Sequence, residues 1–166
     1  PMGLAVRDIV GRGELGEVVS VNFMQTPGAK PAGNWHISKN VAGGLFMEKL
    51  CHQLDFFRML MGEATDVPVF SARNVLTHYE IPDNVQVAVR FPEEKLGHIT
   101  FIAARAATDL TRERWPEAGH FLEYLIVGTK GTLSYDYWKR RILVTHLVPE
   151  GEGLRSVFDR LVVFEG

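Results

Sequence analysis

Gly43-Gly44-Leu45-Phe46-Met47-Glu48-Lys49-Leu50-Cys51-His52-Gln53-Leu54-Asp55-Phe56-Phe57 is the one long helical pattern in a chain otherwise written for strands. At about 100° per residue, with Leu50 at zero, Leu54, Phe57 and Met61 fall within roughly 40° of it, an apolar stripe able to lie on a sheet. On the same wheel Glu48, His52 and Asp55 sit at about 160°, 200° and 140°, nearly opposite the stripe. Their spacings, i,i+4 and i,i+3, are those at which helical side chains meet. Gly43-Gly44 suits a tight entry and Gly62 a C-terminal stop, so the helix is expected over 44–61. Charges opposite an apolar stripe are also what any surface helix shows, and a bare Glu–His pair is often only a solvated contact.

Around this helix the pattern changes to period two. Residues 17–24 alternate and are β-branched, and 67–72 read as a short strand. Val85-Gln86-Val87-Ala88-Val89-Arg90-Phe91 is a half-exposed strand, and the turn Pro92 to Gly97 leads into another at 98–105. Residues 106–119 form a polar connection with no clear pattern, and 121–127, 131–137, 142–147 and 157–164 add further strands. Residues 1–10 read as a short helix or tail, and 26–34, with two prolines and two glycines, as a loop carrying Trp35 and His36 toward the helix. Seven or so strands and one dominant helix give an α+β domain, an open, predominantly antiparallel sheet with helices on one face.

The 166 residues make a single domain, 1–166, large enough for its own core. Apolar content of 46% and a net charge of −2 are ordinary for a globular chain and leave no dominant basic patch, so no nucleic-acid partner is expected. Lys139-Arg140-Arg141 reads as a local strand-edge or turn cluster. One cysteine excludes an internal disulfide framework and fits a reducing compartment. No apolar run is long enough to span a membrane and no leader is visible, so the expected location is cytoplasmic with no membrane partner. Glu48-x-x-x-His52 offers two or three metal ligands at most, and no metal site is expected. Cys51 reads as a half-buried small hydrophobe.

Gly11-Arg12-Gly13-Glu14-Leu15-Gly16 matches the dinucleotide fingerprint Gly-x-Gly-x-x-Gly letter for letter. That fingerprint works after a buried strand and at the start of a helix, whose N–H groups meet the pyrophosphate. Here a mixed, polar segment precedes it and β-formers follow, and no acid stands near position 34 to meet a ribose. The glycines are expected to make a helix-to-strand turn, and no dinucleotide is expected to bind this chain.

Taken together, 11–21, Asn34-Trp35, the Gly43-Gly44 step, Glu48…His52…Asp55, Leu96 to Phe101 and the Gly-x-x-Gly hairpin at 128–131 resemble the C-terminal domain of the Gfo/Idh/MocA family (glucose–fructose oxidoreductase, inositol dehydrogenase) over nearly the whole chain. The resemblance implies that the chain is part of a larger two-domain enzyme. An N-terminal Rossmann domain, absent here, would bind NAD or NADP and supply a lysine to the active site. The family's helix carries an Asp and, four residues on, a His; Glu48 takes the first position and His52 the second, while Asp55 falls where a third acid is common. The resemblance thus implies His52 as the catalytic residue and Glu48, Asp55 and Trp35 as substrate-binding residues. The substrate would be a small polyhydroxylated molecule, a sugar, cyclitol or related polyol. Chemically this fits, because removing hydride from a carbinol carbon requires the hydroxyl proton to go to a base, and histidine titrates near neutrality. Glu48 carries one methylene more than Asp, which leaves the sugar open. Trp35 has an ordinary core role as its alternative; His36 and the histidines at 78, 98, 120 and 146 read mainly as packing or surface residues.

Two other readings stay open: an NAD-dependent glycosidase of the same fold, and a non-catalytic dimerisation or protein-interaction domain. Phe121-Leu122-Glu123-Tyr124-Leu125-Ile126-Val127 is apolar on both faces, while helices can cover one face only. A homodimer formed sheet to sheet is therefore expected.

Overall fold

The computed structural model describes residues 2–43, 46–103 and 121–164. In chain order these form α1 (Met2–Gly11), β1 (Val18–Thr26), a 3-10 turn (Trp35–Ile37), α2 (Lys39–Ala42), a π-helical turn (Phe46–Leu50), α3 (Cys51–Met61), β2 (Val69–Ser71), β3 (Asn84–Arg90), β4 (Leu96–Ile102), β5 (Phe121–Gly128), β6 (Gly131–Asp136), β7 (Arg141–Glu150) and β8 (Gly153–Val163). The connection at 106–119, and the last residues of the strand expected at 98–105, lie outside the described residues.

The eight strands make one open sheet in the order β2-β3-β4-β1-β5-β6-β7-β8. Only β1 and β4 run parallel; the remaining neighbours are antiparallel. Alternation fixes which residues face the helices. Val85, Val87 and Val89 on β3 are buried while Gln86 and Arg90 are exposed. The same side of the sheet presents Val21, Phe23, Ile99, Ile126, Leu133, Ile142 and Val144, all 1% exposed or less. Onto it pack Val6 and Ile9 of α1, and Leu50, Phe57 and Met61 of the π turn and α3. The apolar stripe of the long helix is thus the stripe that lies in the core.

The opposite side has no helix on it among the described residues. One row of cross-strand partners runs from Phe70 through Gln86, Thr100, Met24, Glu123, Asp136 and Arg141 to Val163. The next carries Leu125, Leu143 and Leu161, which are 40%, 37% and 49% exposed. Burial pushes the Glu123 carboxyl up from its ordinary range, and the facing Asp136 charge adds to it.

The glycine-rich stretch at 11–16 is a helix-to-strand turn, as its context predicts, and the structure adds a partner for it. A Cβ on Gly16 would lie 2.3 Å from Thr129 Oγ1, and one on Gly128 would lie 2.2 Å from the Leu15 carbonyl oxygen. Only glycines allow the turn and the β5–β6 hairpin to approach this closely. Around the contact, Thr129 N–H donates to Glu17 O (2.9 Å), Lys130 N–H to Leu15 O (2.8 Å), and Glu17 N–H to Thr129 Oγ1 (3.0 Å). Two segments that each read as an ordinary turn are one interlocked joint.

Candidate functional site

The site is built on the approach to α3. Asn34 caps the 3-10 turn: its Oδ1 accepts the His36 backbone N–H at 3.0 Å and lies 2.9 Å from His36 Nδ1. The His36 ring stacks on Trp35 with centroids 3.7 Å apart at 28°. On its far side, His36 Nε2 is 3.2 Å from Glu48 Oε1, which also lies 2.6 Å from Lys49 Nζ. The Glu48 side chain is only 14% exposed, whereas Trp35 remains 53% exposed. A carboxylate is therefore held half-buried between two basic groups, beside an open aromatic face.

Glu48 sits in the π-helical turn rather than in an α-helix. A π turn widens the helix by one residue, so a wheel drawn at about 100° per residue loses its phase there. The helix expected over 44–61 therefore opens with the π turn at Phe46–Leu50 and continues as α3. Among the described residues no hydrogen bond or ion pair joins Glu48 to His52. His52 and Asp55 do face solvent together on α3, with Leu50, Phe57 and Met61 buried on the other side. Asp55 is 83% exposed, 3.7 Å from Arg58, whose guanidinium pairs more closely with Glu63 at 2.6 Å. Cys51, expected half-buried, is exposed, with Sγ 3.5 Å from the Met47 carbonyl oxygen.

Behind His52, α3 is pinned to the sheet. Tyr124 packs among Phe23, Phe56 of α3 and Tyr135. Burial pushes the Tyr124 phenol far above its ordinary value, with the neighbouring Gln53 opposing in part, so the ring stays neutral.

Beside Glu48 lies a cavity of about 40 Å³, walled mainly by Pro27, Ile37, Tyr79, Ile81, Phe101 and Ala103. The loop forming one wall is tied from inside. The fully buried Asp83 accepts the Val75 and Leu76 backbone N–H groups at 2.8 and 2.6 Å, and Asn74 Nδ2 donates to the Tyr79 and Ile81 carbonyls. Tyr79 in turn accepts the Lys30 N–H at 2.6 Å.

His36 is the residue that sequence reasoning underweighted. Its signal was an Asn two positions upstream, the letter of a turn cap, which fixes the ring's Nδ1 side. Trp35 and Glu48 both contact it, while His52 and Asp55 face solvent on α3. Among the other histidines, His78 is exposed with Nε2 2.9 Å from Lys30 O, His98 and His146 are half-buried, and His120 lies outside the described residues.

Two further features do not make sites. Gly11 to Gly16 do not fit a dinucleotide: the turn feeds β1, and its last glycine is packed against Thr129 and Lys130. One ligand atom each from Glu14, His146 and Asp159 lie within 4.8 Å of one another, but Arg160 spans both carboxylates and Arg12 takes the other Glu14 oxygen at 2.7 Å. These guanidinium groups, Arg160 foremost, hold the Glu14 carboxyl below its usual range. Its charge is already matched, and the cluster reads as a clasp between the α1–β1 turn and β8. Among the described residues, no helix is long and apolar enough to cross a membrane.

Several solved structures share this fold. Levoglucosan dehydrogenase in complex with NADH and levoglucosan superposes with a TM-score of 0.69 at 19% identity, covering 92% of this chain and 43% of that one. An NAD binding oxidoreductase from Klebsiella pneumoniae gives 0.69 at 21%, covering 93% and 43%. An inositol dehydrogenase homolog complexed with NAD+ from Azotobacter vinelandii gives 0.69 at 15%, covering 95% and 40%. The chain spans less than half the length of each. Among curated proteins, none matches it by sequence. The family model of the GFO/IDH/MocA C-terminal domain matches residues 4–134, and the chain belongs to this family.

Proposed function

We propose that this chain is the substrate-binding part of an NAD(P)-dependent oxidoreductase acting on a sugar, cyclitol or related polyol. The observation that carries the reading is a half-buried carboxylate, Glu48, joined through His36 to the exposed Trp35, on the approach to the solvent-facing His52 and Asp55. Polyols are recognised by such sets: carboxylates accept hydroxyl hydrogen bonds, an aromatic face meets the ring's C–H surface, and a histidine takes the hydroxyl proton. In this reading the oxidant is a nicotinamide held outside this chain. His52 removes the proton, Glu48 and Asp55 orient the hydroxyls, and Trp35 lines the ring.

The test is turnover by the full product of the gene with a panel of polyols and either nicotinamide cofactor. His52→Asn should lower kcat by about 10²–10⁴ with a smaller change in KM. Unchanged kcat would remove His52 from the chemistry. Net release of an aglycone without accumulation of reduced cofactor would favour the glycosidase reading, and no turnover of any kind the non-catalytic one.

The bare side of the sheet supports a second part of the proposal, a homodimer formed through Met24, Leu125, Leu143 and Leu161. Light scattering should return twice the chain mass of 18.6 kDa. A monomer at high micromolar concentration counts against it.

A further inference from the structure

We propose that the cavity beside Glu48 is a subsite for a small apolar substituent on the polyol, a methyl or methoxy group, and that His36 is the positioning residue that aims Glu48 at the hydroxyl next to it. The inference rests on the polyol reading above and narrows it to deoxy or O-methyl polyols.

Size comes first. On the measure by which one water needs about 10–15 Å³, a cavity of about 40 Å³ holds two or three heavy atoms. That is too little for a sugar ring and enough for one short substituent. Chemistry comes next. The walls are mainly apolar, formed by Pro27, Ile37, Ile81, Phe101, Ala103 and the Tyr79 ring, whose hydroxyl accepts the Lys30 N–H at 2.6 Å, while His36, Glu48 and Lys49 line the polar edge. A hydroxymethyl group seated against these apolar walls would surrender hydrogen bonds to water, whereas a methyl would only lose contact with water. The cavity is also held open rather than left by loose packing. The buried Asp83 and Asn74 fix the loop that carries Tyr79 and Ile81 through four hydrogen bonds to backbone groups.

The polar edge is equally defined. Asn34 Oδ1 holds the Nδ1 side of His36 and Trp35 holds its face, so Nε2 can point only where it does, at Glu48 Oε1. His36 Nε2 and Lys49 Nζ both contact that same oxygen. Among the described residues these contacts leave Oε2 to accept a hydroxyl at the mouth of the cavity. With both ring nitrogens facing acceptors, His36 orients Glu48 and is not itself a base for the substrate.

The experiment uses the chain with three matched pairs: L-fucose with L-galactose, L-rhamnose with L-mannose, and D-pinitol with D-chiro-inositol. Affinities are read by saturation-transfer NMR, and contacts by intermolecular NOEs to the methyl groups of Ile37 and Ile81. At least one methyl-bearing member should bind about fourfold more tightly than its partner, the worth of one buried methyl, with NOEs from its methyl to both isoleucines. Ala103→Leu, which fills the cavity, should abolish that preference. His36→Phe should weaken both members of the pair, and His36→Gln, which keeps a donor, should restore part of the loss. Equal binding within every pair, or a methyl preference with no NOE to Ile37 or Ile81, overturns the subsite and leaves the polyol reading standing. Saturation transfer to none of the six sinks both.

Discussion

Replacing Gly97 on β4 with alanine tests whether α3 is seated on the sheet as closely as the structure shows. An added Cβ would lie 2.4 Å from Phe57 Cδ2, 2.7 Å from Cε2 and 3.2 Å from Val89 Cβ. Carbon–carbon contacts are comfortable at about 3.5–4.0 Å, so the ring must retreat by roughly 1 Å. Phe57 is fully buried and has no free space to move into without displacing α3. Overpacking of this kind costs about 1–3 kcal/mol, and so large an overlap belongs at the upper end. Against it stand about 0.8 kcal/mol for burying a methyl and about 0.5–1 kcal/mol from the stiffer unfolded chain. The net expectation is a loss of about 1–2 kcal/mol, or a Tm lower by about 2–8 °C for a domain of this size. Urea denaturation should show a lower midpoint with an unchanged slope. Phe57→Leu provides the control: harmful in the parent, it should cost about 1 kcal/mol less in the Gly97→Ala background, because it vacates the space the methyl needs. Additive effects, or a Gly97→Ala protein more stable than the parent, would refute the proposed contact.

Three further outcomes follow from other parts of the fold. Glu93 and Glu94 both hold φ of 60° in the β3–β4 turn, so Asn-Gly in their place should stabilise the protein by about 1 kcal/mol in urea titration, even though Glu93 loses its exposed pair with Lys95; a loss of stability would mean that the ion pair outweighs the backbone strain. Burial raises the Tyr124 and Tyr135 phenols above the ordinary value of about 10; because their neutral form is the one the fold favours, stability should fall as pH rises past that ordinary value, and absorbance titration should show these two rings ionising together with unfolding, whereas their ionisation in a protein still folded by circular dichroism would contradict the burial argument. Arg160 lowers the Glu14 carboxyl, so the clasp contributes above the ordinary glutamate range and is lost as pH falls through the lowered value; Arg160→Met should flatten the acid limb of a stability-against-pH profile, and an unchanged limb would show that the clasp contributes nothing measurable.

What the sequence revealed of this fold, and what it hid, divides along the line between local pattern and tertiary contact. β3 was legible because Val85, Val87 and Val89 alternate with polar residues and each points into the core. α3 was legible because Leu50, Phe57 and Met61 fall on one side and are buried there. The ends of β7 and β8 were less so: 147–150 and 153–156 run past the alternating residues and are held mainly by hairpin pairing on either side of Gly151.

The site divides in the same way, and for a definite reason. His52 and Asp55 lie within regular α-helix, so their shared exposure could be read from spacing. Glu48 lies one turn earlier, where the helix widens, and a residue count cannot show a π turn. Its true neighbour is His36, twelve positions upstream and presented by a separate capped turn. The interlock of Gly16 with Thr129 is hidden similarly, since each glycine alone signals only a turn. In both places the residues carrying the family resemblance are those whose contacts are invisible locally. Such motifs record where two distant segments must touch, so their meaning appears only when both segments are in view. Position 48 illustrates this. Considered on the helix alone Glu48 is one charge opposite the apolar stripe; in the fold it is a carboxylate that meets His36, so His36 and Glu48 form one unit whose effects on substitution should be non-additive.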